Sequence, residues 1–219
     1  MLQKETLGFL NNLNKNNRRD WFEKNKQSFE DAKLDFETFI SEIFFEMAKL
    51  NENLIGTDPR KCIFRIYRDV RFSKNKEPYK TNFGAAICAG GKSLNTALFY
   101  IHIEPGNKSF IAGGRYMPDS NSLRNIREKI AGKPNEFKKI ISDKKFKSVF
   151  SKLSDIKVKT VPRGYTKDHP EIELLKYTSY IVEKKIEDDI LISKKIKKIS
   201  IDSYKILYPF IQYLNDIKQ

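Results

Sequence analysis

Between residues 83 and 112 the chain crowds three short β-prone runs together, with only turn-length sequence between them. Residues 83–89 are short and apolar and are followed by Gly90-Gly91. Residues 97–103 and 109–112 flank Glu104-Pro105-Gly106-Asn107, a strong turn signal. Parallel neighbours need a crossover of a dozen or more residues, usually a helix. These connections are too short for that, so the region reads as an antiparallel meander. Residues 62–67 are β-rich, residues 156–161 alternate as a strand does, and residues 177–183 suit a further strand.

Helical patterns flank this core. Leu7, Leu10 and Leu13 repeat at helical spacing up to Asn16-Asn17. Asp20 has Glu23 three residues on, the spacing of a capping box, ahead of a helix over about residues 21–50 that has room for a break near Ser28. Phe22, Phe29, Phe36, Ile40, Ile43 and Met47 trace its apolar stripe, with Lys33 inside it. Pro118-Asp119-Ser120 leads into a helix through Leu123, Ile126 and Ile130. Pro134 fits the first turn of the next helix, and residues 146–150 form a short one. Pro170 sits near the start of another. The tail, about residues 193–217, presents Ile201, Tyr204, Leu207, Tyr208, Ile211 and Leu214 on one side, with Pro209 placed to kink or split it. The expected fold is α+β. A mostly antiparallel sheet is packed by N-terminal and C-terminal helices, and residues 1–219 form a single domain without repeats or linkers.

Composition limits the function classes. With 39% hydrophobic and 12% aromatic residues, the chain carries enough apolar surface for a folded core. No apolar run approaches the about 18 residues of a membrane span, and the N-terminus lacks a hydrophobic signal segment, so no membrane and a cytoplasmic location are expected. Cys62 and Cys88 read as reduced core residues. The two histidines, His102 and His169, have no ligand partner at helical spacing, so no metal and no cofactor are expected. Gly90-Gly91-Lys92-Ser93 lacks the upstream glycine of a phosphate loop and reads as a turn.

The net charge is +14, from 42 basic and 28 acidic residues. Lysines make up 32 of the 42, and much of that charge is solvated surface; nucleic-acid binding through it would be weak and salt-dependent. The ten arginines are more informative, because Arg65, Arg68 and Arg71 fall within seven residues.

That cluster lies in the run Arg65-Ile-Tyr-Arg68-Asp69-Val-Arg71-Phe72, continued by Asn75-Lys76 and Tyr79-Lys80. The run resembles the signature of a family of bacterial and fungal proteins of unknown function: Arg-x-x-Arg-Asp-x-Arg-Phe, then Asn or Asp with Lys, then Tyr. The resemblance extends along the whole chain. Asn16-Asn17 with Trp21-Phe22 is similar to the family's opening. Gly113-Gly114-Arg115 with Pro118 is similar to its glycine-rich turn, with Tyr116 and Met117 departing from the usual spacing. Gly164 with Asp168-His169-Pro170 is similar to a later loop. The resemblance implies no activity.

If a strand continues to Phe72, alternation puts Arg65, Tyr67, Asp69 and Arg71 on one face. Phe64, Ile66, Arg68, Val70 and Phe72 take the other. Arg68 then needs a carboxylate partner inside, while Asp69 orients Arg65 and Arg71 and leaves positive charge over. With Lys74, Lys76, Tyr79 and Lys80, and with Arg115 and His169 converging on it, such a segment suits a phosphate, sulfate or carboxylate. Three other readings stay open. One is a nucleic-acid-binding module on the same basic face, with Phe72 and Tyr79 as stacking rings if they are exposed. Another is an enzyme acting on a phosphorylated or carboxylate substrate, with His169 or Asp69 as base. The third is a purely structural Arg/Asp network. His102 shares a face with Tyr100 and Glu104 and reads as a half-exposed sheet histidine.

Overall fold

The computed structural model describes residues 1–92 and 95–217. The chain is α+β, as expected, and its sheet is antiparallel with four strands in sequential order. They are β1 (Phe83–Ile87), β2 (Leu98–Ile103), β3 (Ser109–Arg115) and β4 (Tyr180–Ile186). Two compact units are formed, neither continuous in sequence. The first comprises Met1–Lys92, Tyr100–Ile111 and Lys185–Asp202; the second comprises Ser93–Phe99, Ala112–Lys184 and Ser203–Gln219.

In the first unit, α1 (Lys4–Lys15) buries Thr6, Phe9, Leu10 and Leu13. These positions lie on one face of a 3.6-residue helix. The helical region after Asn17 is divided into α2 (Arg19–Lys24) and α3 (Lys26–Ala48). The break falls at Asn25 rather than near Ser28, because the Asn25 side-chain amide donates to the Trp21 carbonyl (2.8 Å) and competes with the helix for it. Arg18, not Asp20, occupies the N-cap of α2, and Asp20 pairs with Arg18 at 3.3 Å instead. The buried stripe of α3 runs Phe29, Ala32, Phe36, Phe39, Ile40, Ile43, Phe44 and Met47. Phe36 stacks on Phe83 of β1, with centroids 5.3 Å apart, and ties helix to sheet.

Residues 62–67 are not a strand of the sheet. A 3₁₀ turn (Pro59–Cys62) leads into extended backbone with isolated bridges at Ile63–Ala85 and Tyr67–Tyr79. Backbone bonds from Lys80 N–H to the Ile66 carbonyl (2.8 Å) and from Arg68 N–H to the Pro78 carbonyl (2.9 Å) close it into an irregular hairpin. The hairpin is anchored from α1 and α2. Tyr79 is 4% exposed and stacks on Phe22 at 4.0 Å and 12°. The Asn17 side chain donates to the Tyr79 carbonyl (3.0 Å) and accepts from the Tyr79 N–H (3.1 Å).

In the second unit, Asp119 caps α4 (Ser120–Gly132) by accepting from Asn121 and Ser122 N–H, both at 3.0 Å. Pro134 opens α5 (Pro134–Ser142), where its missing N–H is no loss. Asp143 caps α6 (Lys144–Phe150). Residues 156–161 form a single bridge, Lys157–Tyr177, instead of a strand. The short α7 (Ile172–Leu175) precedes β4, which starts three residues later than the sequence suggests. After α8 (Asp188–Leu191), α9 (Lys195–Asn215) runs through Pro209 without splitting. Leu207, Phe210 and Leu214 are fully buried on either side of the proline, and their packing outweighs the lost hydrogen bond. Tyr204 meets Phe99 edge-on, and Leu207 lies against Gly113, so α9 covers the sheet in this unit. Among the described residues no helix is long and apolar enough to cross a membrane.

Two stability measurements follow from these anchors. Asn17→Ala leaves two backbone groups of Tyr79 without partners, and should lower the unfolding free energy in urea by about 1–3 kcal/mol. Asn16→Ala, which removes one exposed bond to the Asn12 carbonyl, should change it by less than about 0.5 kcal/mol. Gly114 has φ +119°, and a Cβ there would lie 2.1 Å from the Tyr180 carbonyl oxygen. Gly114→Ala should cost about 2–5 kcal/mol. Gly132→Ala, in open space at a helix end, should be neutral or stabilising.

Candidate anion-binding site

The hairpin carries the arginine cluster, and its two arms treat their charges differently. Arg65, Tyr67, Asp69 and Arg71 are exposed, while Ile66 is buried and Arg68 and Val70 are partly covered. Alternation therefore holds as far as Val70. It fails at Phe72, which is 96% exposed rather than in the core. The extended run ends because Asp69 folds the chain back on itself. Its carboxylate accepts from the Arg71 N–H (3.3 Å) and from the Arg71 guanidinium (3.0 and 2.6 Å). This fork, the backbone bond and nearby Arg65 hold the Asp69 carboxyl below the usual range.

The remaining loop cations are tied in the same local way. Arg68 finds its carboxylate in Glu77, across the loop at 3.6 Å, and also donates to Ser73 at 3.4 Å. That partner is half-exposed rather than internal. Lys76 donates to the Val70 carbonyl (3.1 Å). Tyr79, expected at the site, is core.

At the base of the hairpin Arg65, Lys80 and Lys92 are different. Lys80 Nζ donates to the Arg65 carbonyl (3.0 Å), and Lys92 Nζ donates to the Ile63 carbonyl (3.0 Å). Both ammonium groups lie over the Phe64 ring, 5.4 and 5.9 Å from its centroid. Among the described residues none of the three cations forms an ion pair. Burial, followed by the like charges of Arg65 and Lys92, pulls the Lys80 ammonium below its ordinary pKa. Lys92 reaches this place because Gly91, at φ +95°, crosses the Lys61 backbone more closely than any Cβ allows. That contact spans thirty residues, which is why Lys92 was not suggested by sequence. Ser93 lies outside the described residues.

Phe64 meets Tyr100 edge-on at 6.2 Å and joins the cations to a polar chain on β2. The Tyr100 hydroxyl lies 3.3 Å from His102 Nδ1, and His102 Nε2 lies 3.0 Å from Glu104. With Glu104 accepting from Nε2–H, Nδ1 is left as the acceptor for Tyr100 and for the Asn82 amide at 3.4 Å. His102 stacks on Phe110 at 4.6 Å and 12°. A hydroxyl, an imidazole and a carboxylate in series have the parts of a proton relay. The sequence placed all three on one face but did not set them beside the cations.

Arg115 and His169 belong to the second unit. Arg115 is 5% exposed and donates to the Asn95 carbonyl (2.7 Å) and the Ser122 hydroxyl (2.6 Å). Burial lowers its pKa. His169 Nδ1 accepts from the Glu171 N–H (3.0 Å) just before α7, and Tyr165 meets its ring edge-on. Its lone pair serves a helix start. Cys62 and Cys88 are buried and form no disulfide; burial pushes the Cys62 thiol up to about 11. Among the described residues no three His, Cys, Asp or Glu side chains are grouped to hold a metal ion.

No curated protein and no solved structure matches the chain. The family of conserved hypothetical proteins designated DUF2461 matches residues 5–213, nearly the whole sequence, and the chain belongs to that family.

Proposed function

We propose that the protein binds an anionic ligand bearing a phosphate, sulfate or carboxylate group, at the hairpin base formed by Arg65, Lys80 and Lys92. The crowding of Lys80 carries this reading. It is a partly buried ammonium pressed by two further cations, with no carboxylate to offset them. A bound anion relieves that repulsion and meets donors already in place. Phe64 gives the site an apolar floor. The loop arginines support the site by shape rather than by free charge, since Asp69 and Glu77 already occupy Arg71 and Arg68. A cytoplasmic setting fits two buried cysteines that form no disulfide.

Sulfate is the probe, because its charge is constant across the useful pH range. At constant ionic strength, sulfate should raise the melting temperature of the wild type saturably. A hundredfold excess over Kd gives about 2.7 kcal/mol, or about 5–11 °C for a chain of this size. Lys80→Gln and Arg65→Ala should abolish the rise, and Arg71→Ala should keep it. An unchanged response in Lys80→Gln overturns the site.

The pH dependence follows from the depressed Lys80 pKa. The anion favours the charged ammonium, so affinity is full below that pKa and falls as pH rises through it. The fall should begin clearly below the ordinary lysine value of 10.5. Sulfate titration calorimetry between pH 7 and 10.5 measures it.

A further inference from the structure

Phe72 is the most exposed large apolar side chain among the described residues, at 96%, and it sits at the tip of the basic loop. A single exposed ring is ordinary on a protein surface. This ring is set apart by how it is presented. Asp69 grips Arg71 immediately before it, Lys76 holds the Val70 carbonyl, Arg68 crosses the loop to Ser73 and Glu77, and Asn75 turns the chain by accepting from the Glu77 N–H (2.8 Å). The loop is ordered by its own polar contacts and leaves Phe72 with no apolar neighbour to pack on. The Arg71 guanidinium stands 5.9 Å from the ring centroid.

Tyr67, on the arm below, is 49% exposed, and its ring is steadied by Phe22 and Tyr79. Between residues 65 and 80 the chain carries six cations and two carboxylates. Lys74 is exposed and forms no ion pair among the described residues. Exposed rings interleaved with surplus cations are what a single nucleic-acid strand requires: flat faces for bases and charges for phosphates.

We infer that the loop around Phe72 binds single-stranded nucleic acid without sequence preference, a base stacking on Phe72 while Lys74 and Lys76 meet the phosphates. A duplex keeps its base faces stacked inside and offers Phe72 nothing. A lipid surface has the right charge, but the tip supplies only one fully exposed apolar residue for insertion, since Val70 is half-covered. Lysine charge neutralises phosphate without reading bases, so the binding is strongly salt-dependent. This inference does not rest on the sulfate site, because it uses different side chains.

The test is fluorescence anisotropy with a labelled fifteen-nucleotide oligo-dT at several salt concentrations. Loss of one stacked base should weaken binding about 5- to 150-fold in Phe72→Ala, with the salt slope and melting temperature unchanged. Phe72→Trp should restore affinity, and its fluorescence should be quenched by the strand. Lys74→Ala should flatten the salt slope by about 0.7. Arg65→Ala, which should lose the sulfate response, should keep most oligonucleotide affinity. Equal affinity of Phe72→Ala and wild type overturns the inference. So does equal binding of a duplex of the same length, or Phe72-dependent binding to phosphatidylserine vesicles without binding to oligo-dT.

Discussion

The Asn17 side chain holds both backbone groups of Tyr79, and the basic hairpin depends on that contact. Residues 63–80 make only isolated bridges, so no continuous ladder positions them. A hairpin with so few backbone bonds is marginal alone. It is made definite by tying one residue to the turn between α1 and α2, and by stacking that residue's ring on Phe22. Phe22 is in turn packed against Phe29 of α3 and Phe9 of α1. The helical core thus reaches the charged segment through one aromatic stack and one amide. This gives a physical reason for Asn17, Phe22 and Tyr79 to occur together in one chain.

Beyond that anchor, charge is distributed in two ways. On the loop, Arg71 and Arg68 pair with Asp69 and Glu77, and pairs this open to water add little to stability. Their effect is conformational. The Asp69–Arg71 fork ends the extended run before Phe72, and the Arg68–Glu77 contact crosses the loop. At the hairpin base no cation has an ion-pair partner among the described residues; Lys80 and Lys92 are held by backbone carbonyls and the Phe64 ring, with the like charge of Arg65 nearby. A chain selecting only for stability would place an acid there. The sequence contains 28 acids, and none is used at this point.

The parts legible in sequence were those decided within a few residues. The 104–107 turn, the Asp119 cap, Pro134 at a helix start and the alternation from Arg65 to Val70 all follow from local stereochemistry. The failures have local competitors or distant causes. Phe72 left the apolar face because Asp69 bonds to the backbone two residues on, which alternation ignores. Asn25 broke the helix through its own amide, three residues before the break expected at Ser28. Tyr79 was read as a site residue because it lies in the motif, yet its role is set by Phe22 and Asn17, sixty residues away. Lys92 and Phe64 were missed as partners because only the fold brings them to Lys80.

The lysines at the hairpin base also answer a structural need, and it is compatible with binding. The carbonyls of Ile63 and Arg65 lie on backbone that has no continuous partner strand, and such edges invite pairing with another chain. Lys92 and Lys80 donate to those carbonyls in place of a strand. An ammonium has three donors. Lys80 uses one on the Arg65 carbonyl, and Lys92 uses one on Ile63 with a second, longer contact to Lys61 at 3.5 Å. Neither ammonium has an ion-pair partner among the described residues. If the proposed anion binds here, it uses donors that the carbonyl bonds leave over, and the contacts that protect the edge preorganise its site.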